Sequence, residues 1–360
     1  MAAAAGAEPR FADVAATSFL VQNAKTGEVL AARAPDREVP IASITKLMTV
    51  LVTLDRAGLD DVVVVDPAAA RVGEEAISLR GGDRLTVREL VEAALIQSAN
   101  NAAAALALHV AGSFPAFAQL MNAKAAALGL EHSHYVRPDG LDAPDEYSSA
   151  RDVTAVAAAA MKIPFVRQTV RKSVDTISGG RVLRTWNDLL ATFPGVVGVK
   201  TGHTNGAGWS QVAAARGRSV TVYATLLGSP DRYRRNADLT RLLAYGLSQY
   251  VRVDAISPRR VYATVELPYG RAPLELRAAP TASRVVRIGR PLVERVVAPT
   301  TVSLPVRKGQ QLGTVVVTAN GHVVARSPLL AARSEQRPGV VGRVGWTARR
   351  TLHHLAGWIP

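Results

Sequence analysis

The chain has 360 residues, 48% apolar and 20% charged, which is enough for more than one folded core and too apolar for a disordered chain. Lys and Arg number 43 against 29 Asp and Glu, and the formal charge of +14 suits a polyanionic neighbour. No cysteine is present, which excludes disulfides and thiolate metal sites, and arginine is scattered without the dense basic block and interleaved aromatics of a nucleic-acid binder. An anionic membrane surface or an acidic wall polymer is left as the better-suited partner, and no nucleic acid is expected.

The opening MAAAAGAEPRFADV lacks the basic start and the roughly 7–15-residue apolar stretch of a signal peptide. Nor does any uninterrupted apolar run reach the length of about 20 residues that spans a bilayer. Next, TSFLVQNAKTGEVLAARA reads as two strands around a tight turn at Lys25, Thr26 and Gly27, the glycine supplying a positive φ. After Pro40, SITKLMTVLVTLDRAGL is apolar on nearly every face, the pattern of a helix buried in the middle of a domain. Two Ala-rich helices follow in VRELVEAALIQSANNAAAALALHVAG and FPAFAQLMNAKAAALGL, then the turn-rich PDGLDAPDEYSS and another helix in ARDVTAVAAAAMKI.

The character changes at GVVGVKTGHT, GWSQVAAARG and SVTVYATLLG, three consecutive strands, the last two joined at Arg216 and Gly217. Strands at both ends of a helical middle predict one mixed α/β domain, α+β in kind, whose N-terminal hairpin joins the later strands in a single sheet. A helix in DLTRLLAYGLSQYV is expected to end near Val253, and short β-like runs with Gly and Pro turns then form a small all-β module to about Ser334. In the tail, Val344, Ala348, Leu352, Leu355, Trp358 and Ile359 gather on one helical side opposite Arg343, Arg349, Arg350, His353 and His354. Such a segment lies in a membrane interface or packs back on the protein.

Chemistry concentrates at three places. Ser43 opens the buried helix and Lys46 follows three residues on, so both side chains point the same way and the amine can take the hydroxyl proton. A lysine on an otherwise apolar helix is costly. To serve as a base near neutrality it must lose its proton about 2–3 units below its free value of ~10.4, and burial and a second cation such as Lys200 would supply that drop. The second place is Ser98 and Asn100, where an apolar helix stops. The third is Lys200, Thr201 and Gly202, a second Lys-Thr-Gly that lies downstream of both on a predicted strand.

This set resembles the active-site serine enzymes that recognise penicillin. With ASITKLMTVLVTL, QSANNAAAALA, RPDGLDAPDEYSSARDV, TWNDLL and GVKTGHTNGAGW, the chain is similar over about residues 15 to 335 to the serine-type D-alanyl-D-alanine carboxypeptidases, the low-molecular-weight penicillin-binding proteins. The resemblance implies a β-lactamase/transpeptidase-like catalytic domain over 15–253, with a helical cluster and an antiparallel sheet. A β-rich domain over 254–334 and a tail over 335–360 would follow, with 1–14 as a remnant of an export region. It also implies acyl transfer on peptidoglycan stem peptides, with β-lactams as inhibitors. Ser43 would be the nucleophile, Lys46 its base and Ser98 the relay to the leaving D-alanine. Asn100 would hold the substrate amide, and Lys200 and Thr201 its terminal carboxylate. Gly202 would keep the strand clear for the peptide, and the backbone N–H groups of Ser43 and His203 would form the oxyanion hole. No metal or other cofactor is called for.

Two positions depart from the family pattern, Asn101 where Asp is common and Arg137 where Asn is common. An extracytoplasmic site of action is implied although no export signal is visible, for which a trimmed or mis-started N-terminus is the simplest reading. A D,D-endopeptidase would use the same groups, and a penicillin sensor would acylate without turnover. A class A β-lactamase is the minor alternative, because it needs a glutamate with Asn four residues later, and neither Glu131 nor Glu146 has one.

Overall fold

Strands β1 (Ser18–Asn23) and β2 (Val29–Arg33) pair antiparallel. Between them the Asn23 side-chain oxygen accepts the N–H groups of Lys25 and Thr26 at 2.8 and 3.1 Å, and Gly27 takes φ +72°. The first Lys-Thr-Gly is therefore a self-contained turn. These and the following features come from a computed structural model that describes residues 11–280, 282–319, 321–340, 344, 346 and 348.

A short 3-10 turn, Ala42–Thr45, leads into α1 (Lys46–Leu54), whose residues from Lys46 to Thr53 are all buried. Ser43 thus precedes the regular helix instead of beginning it. Then come β3 (Val62–Val64), α2 (Pro67–Ala70), β4 (Arg84–Thr86) and α3 (Val87–Glu92), the last opened by a capping box in which Thr86 and Glu89 satisfy each other's backbone N–H. One wider π-helical turn, Ala93–Gln97, ends at Ser98 in the left-handed region at φ +65°. The chain restarts as α4 (Asn100–Ala111), buried along its first two turns, where the alanines permit close packing against α1.

After α5 (Phe114–Ala127), α6 (Ala150–Ala160) and α7 (Pro164–Thr169) come the small hairpin β5 (Val174–Ile177) with β6 (Arg181–Arg184), and α8 (Leu189–Thr192). Three long strands follow, β7 (Val196–Thr204), β8 (Gly208–Arg216) and β9 (Thr221–Ser229), and complete an antiparallel sheet of order β2-β1-β9-β8-β7. The N-terminal hairpin joins the late strands as expected. Buried runs such as Val212–Ala215 reflect cover on both faces. Thr154 of α6 bonds Thr225 at 2.6 Å on one face, and on the other α9 (Arg232–Ser248) brings Gly246 against Val21 and Val222.

Helix α9 begins six residues before the expected position and stops at Ser248. Tyr250–Val253, read as its end, belongs to strand β10 (Tyr250–Ile256), because the alternating Tyr-Val-Arg-Val run pairs antiparallel with a later strand, Ala282–Arg287. The chain divides into a first unit, Met1–Gln249, and a second, Tyr250–Pro360. The second contains β10, β11 (Val261–Val265), β12 (Leu274–Ala278), β13 (Ala282–Arg287), β14 (Leu292–Val297), β15 (Gln311–Ala319) and β16 (His322–Ala331). Its five-stranded sheet, order β11-β12-β16-β15-β14, closes over a core that includes Ile256, Leu274, Val315 and Leu329. The amphipathic pattern expected in the tail lies largely outside the described residues.

Candidate active site

The Ala42–Thr45 turn, the break at Ser98 and strand β7 meet at one cleft of about 270 Å³, whose lining includes Ser43, Ser98, Thr201 and Gly202. Contact between the turn and β7 is tight enough to explain the glycine. A Cβ on Gly202 would stand 2.6 Å from the Ile41 carbonyl oxygen and 3.2 Å from Ala42 and Ile44. The missing side chain faces the serine turn, so the close approach of turn and strand is by itself enough to require glycine here.

Lys46 is fully buried, and its Nζ lies 2.6 Å from Ser43 Oγ, 2.6 Å from Asn100 Oδ1 and 2.7 Å from the Asp139 carbonyl oxygen. A neutral amine has two N–H bonds and one lone pair. With the two fixed acceptors taking the N–H bonds, the lone pair is left for the Ser43 hydroxyl. Burial brings Lys46 down to about 8, against the pull of the carboxylates of Asp139, Glu75, Glu146 and Glu74, which favour the cation.

Lys200, 2% exposed, donates to Ser98 Oγ at 2.8 Å and to the Thr201 carbonyl at 3.0 Å. Burial first, and the positive charge of Lys46 second, push it well below the ordinary lysine value. Two amines, each bonded to one serine, thus share a dry interior. Desolvation, more than the Lys200 charge, is what lowers Lys46.

Asn100 is 2% exposed and both atoms of its amide are occupied: Oδ1 takes Lys46, and Nδ2 donates to the Gly73 carbonyl at 3.0 Å. Asn100, expected to hold a substrate amide, is thus placed beside Ser43 and Lys46, where it also fixes the lysine amine. His203 is exposed, with its ring stacked on Trp209 at 4.1 Å, and both line the cleft.

The residues that sequence reasoning missed are Arg235, Asp139, Glu75 and Glu146. Arg235, in the first turn of α9, is 1% exposed yet contributes to the cleft wall. Asp188 and Asn236 accept from its guanidinium, which sits 5.6 Å from the Trp209 ring. Its only sequence signal is a cluster of three arginines in DRYRRNAD, which reads as solvated surface. Asp139 contributes a backbone atom, and no residue-type pattern marks a backbone acceptor.

A family model for D-alanyl-D-alanine carboxypeptidases matches residues 3–231. The chain belongs to that family. Among its relatives, D-alanyl-D-alanine carboxypeptidase DacC of Escherichia coli (strain K12) is 31% identical over 363 residues, covering 96% of this chain and 90% of the relative. A crystal structure of penicillin binding protein 5 from Haemophilus influenzae matches with TM-score 0.67 at 24% identity, covering 92% of this chain and all of the other, and so shares its fold. A Streptomyces DD-transpeptidase mutant structure matches with TM-score 0.62 at 31% identity, covering 65% of this chain and 98% of that one.

Both departures from the family pattern have structural consequences. Asn101 donates to the Ile77 carbonyl at 2.6 Å and accepts its N–H at 3.2 Å, a two-way bond that a carboxylate cannot make. Arg137 clasps the Asp139 carboxylate through two bonds of 2.9 and 2.8 Å. It thereby pins the residue whose carbonyl holds Lys46.

Proposed function

We propose that the chain is a serine D-alanyl-D-alanine carboxypeptidase that removes the terminal D-alanine from peptidoglycan pentapeptide stems on the extracytoplasmic side. The observation that carries this reading is the 2.6 Å approach of a buried, readily deprotonated Lys46 to Ser43 at the wall of a cleft. Neutral Lys46 takes the Ser43 proton as Oγ attacks the carbonyl between the two D-alanines. Electrons pass to the carbonyl oxygen and return as the amide C–N bond breaks. Ser98, held by Lys200, relays the proton that Lys46 took from Ser43 on to the departing amine, which returns Lys46 to its neutral form and leaves an acyl-Ser43 that water hydrolyses.

Asn100 and the Asp139 carbonyl fix the Lys46 amine in place. The substrate's terminal carboxylate is received by the Thr201 hydroxyl and the Arg235 guanidinium on the cleft wall, with Lys200 adding positive potential from beneath. A β-lactam presents the same carboxylate and a strained amide, so it acylates Ser43 and blocks turnover. Glu146, the nearest analogue of a β-lactamase water-activating glutamate, lines a different cavity from Ser43, which argues against that alternative.

The test is release of free D-alanine from a pentapeptide ending in D-Ala-D-Ala by the wild type, by Ser43→Ala and by a penicillin-treated sample. Release by the wild type alone is expected. Release undiminished in Ser43→Ala would overturn the assignment.

A further inference from the structure

On the far side of the serine turn lies a second cavity of about 200 Å³, lined by Ile41 and Ala42 of that turn, by Gly140 and Asp142, and by Glu146. Glu146 is 8% exposed and bonds two different segments. Thr45 Oγ1, one residue before Lys46, meets Oε1 at 3.2 Å, and the Arg137 backbone N–H donates to Oε2 at 3.0 Å. Arg137 begins the loop whose Asp139 carbonyl takes the Lys46 amine. A Cβ on Gly140, in the same loop, would collide with the Ala42 carbonyl, so loop and turn are already in contact. We propose that Glu146 is a positioning residue that ties the Ser43 turn to the 137–140 loop and passes its own charge state to Lys46. This rests on the acyl-enzyme reading above.

The groups facing Glu146 define the effect. Asp139 opposes its ionisation and Arg137 favours it, the Thr45 hydroxyl and the Arg137 N–H also favour it, and burial outweighs them, carrying the carboxyl up to about 7. Tyr135, buried nearby, feels the Glu146 charge, and Asp142 lines the same cavity with its carboxylate committed to Thr204 and Gly206. Ionised Glu146 in turn favours protonated Lys46. As pH rises through about 7, Glu146 gains charge and Lys46 holds its proton more firmly, so the rise of acylation with pH is delayed. The cavity lets the carboxyl exchange its proton without passing through the substrate cleft.

The experiment measures the rate constant for acylation by a fluorescent penicillin against pH in the wild type, Glu146→Gln and Asp142→Asn. Glutamine keeps an acceptor for Arg137 and a partner for Thr45 but carries no charge. The rising limb of Glu146→Gln is expected about half a pH unit or more below that of the wild type, roughly a threefold faster acylation on the limb, while Asp142→Asn stays with the wild type. Coincident limbs for wild type and Glu146→Gln, or an equal displacement in Asp142→Asn, would overturn the role given to Glu146. A wild type that penicillin never acylates would overturn the acyl-enzyme reading, and this inference with it.

Discussion

Burial shifts both Lys46 and Glu146 toward their uncharged forms, and the two shifts make stability respond to pH in opposite directions. Native Glu146 holds its proton up to about 7, against 4.5 in the unfolded chain, so between those values the native state binds more protons and stability falls as pH rises. The full loss is about 3 kcal/mol. Native Lys46 releases its proton near 8, against 10.5 unfolded, so stability rises with pH between those values. Urea unfolding at pH 8 should therefore find Glu146→Gln more stable than wild type by about 1–3 kcal/mol, with the difference vanishing near pH 4. Arg235→Gln should raise KM for the D-Ala-D-Ala peptide about tenfold or more with kcat within a fewfold, because the lost bond is to a carboxylate that takes no part in bond making. An equal fall in kcat at unchanged KM would refute that assignment. Ser43, Lys46, Ser98 and Lys200 were readable from residue type and spacing. Asp139 and Arg235 were not, since one acts through its backbone and the other resembles any surface arginine.

At the scale of elements, the site depends on where helices fail. The helix stop expected at Ser98 takes the form of a π-helical turn followed by a left-handed Ser98, which aims that hydroxyl at Lys200. The break is held by a local bond from the Ala99 N–H to the Ala93 carbonyl at 3.1 Å and a tertiary one from the Asn100 N–H to the Glu75 carbonyl at 2.6 Å. The seam between β7 and the serine turn is similarly specific. Gly202→Ala should force the two apart, lowering stability by about 1–3 kcal/mol in a urea titration and penicillin acylation by roughly tenfold or more. Gly73→Ala is the comparison, since a Cβ there meets nothing within 4 Å. Equal behaviour of the two variants would show that the close approach at Gly202 is relaxed in solution. Periodicity located the strand and the helices but was silent on this contact, which joins residues more than 150 positions apart.

For the whole molecule, the charge is divided unevenly. Residues 1–249 carry 26 Lys and Arg against 24 Asp and Glu, whereas residues 250–360 carry 17 against 5. Nearly all of the positive excess therefore belongs to the second unit and its tail. Every site residue named above lies in the first, which has its own core from Leu20 to Leu227. A fragment ending at Gln249 should fold and release D-alanine at a rate within a fewfold of the full chain, because the first unit holds both its own core and every site residue. The full chain should bind anionic lipid vesicles in a salt-sensitive way and the fragment should not, as sedimentation at increasing ionic strength would record. Sequence by itself placed the N-terminal hairpin, the buried serine–lysine helix, the Lys-Thr-Gly strand and, through the resemblance its motifs carry, the family, because short-range spacing is a property of neighbouring residues. Tertiary structure alone decided that Asn100 grips Lys46, that Gly202 serves a backbone seam, and that Glu146 and Arg235 border the chemistry. Those roles depend on which distant segments exclude water together, and burial of that kind is set only when the chain has closed on itself.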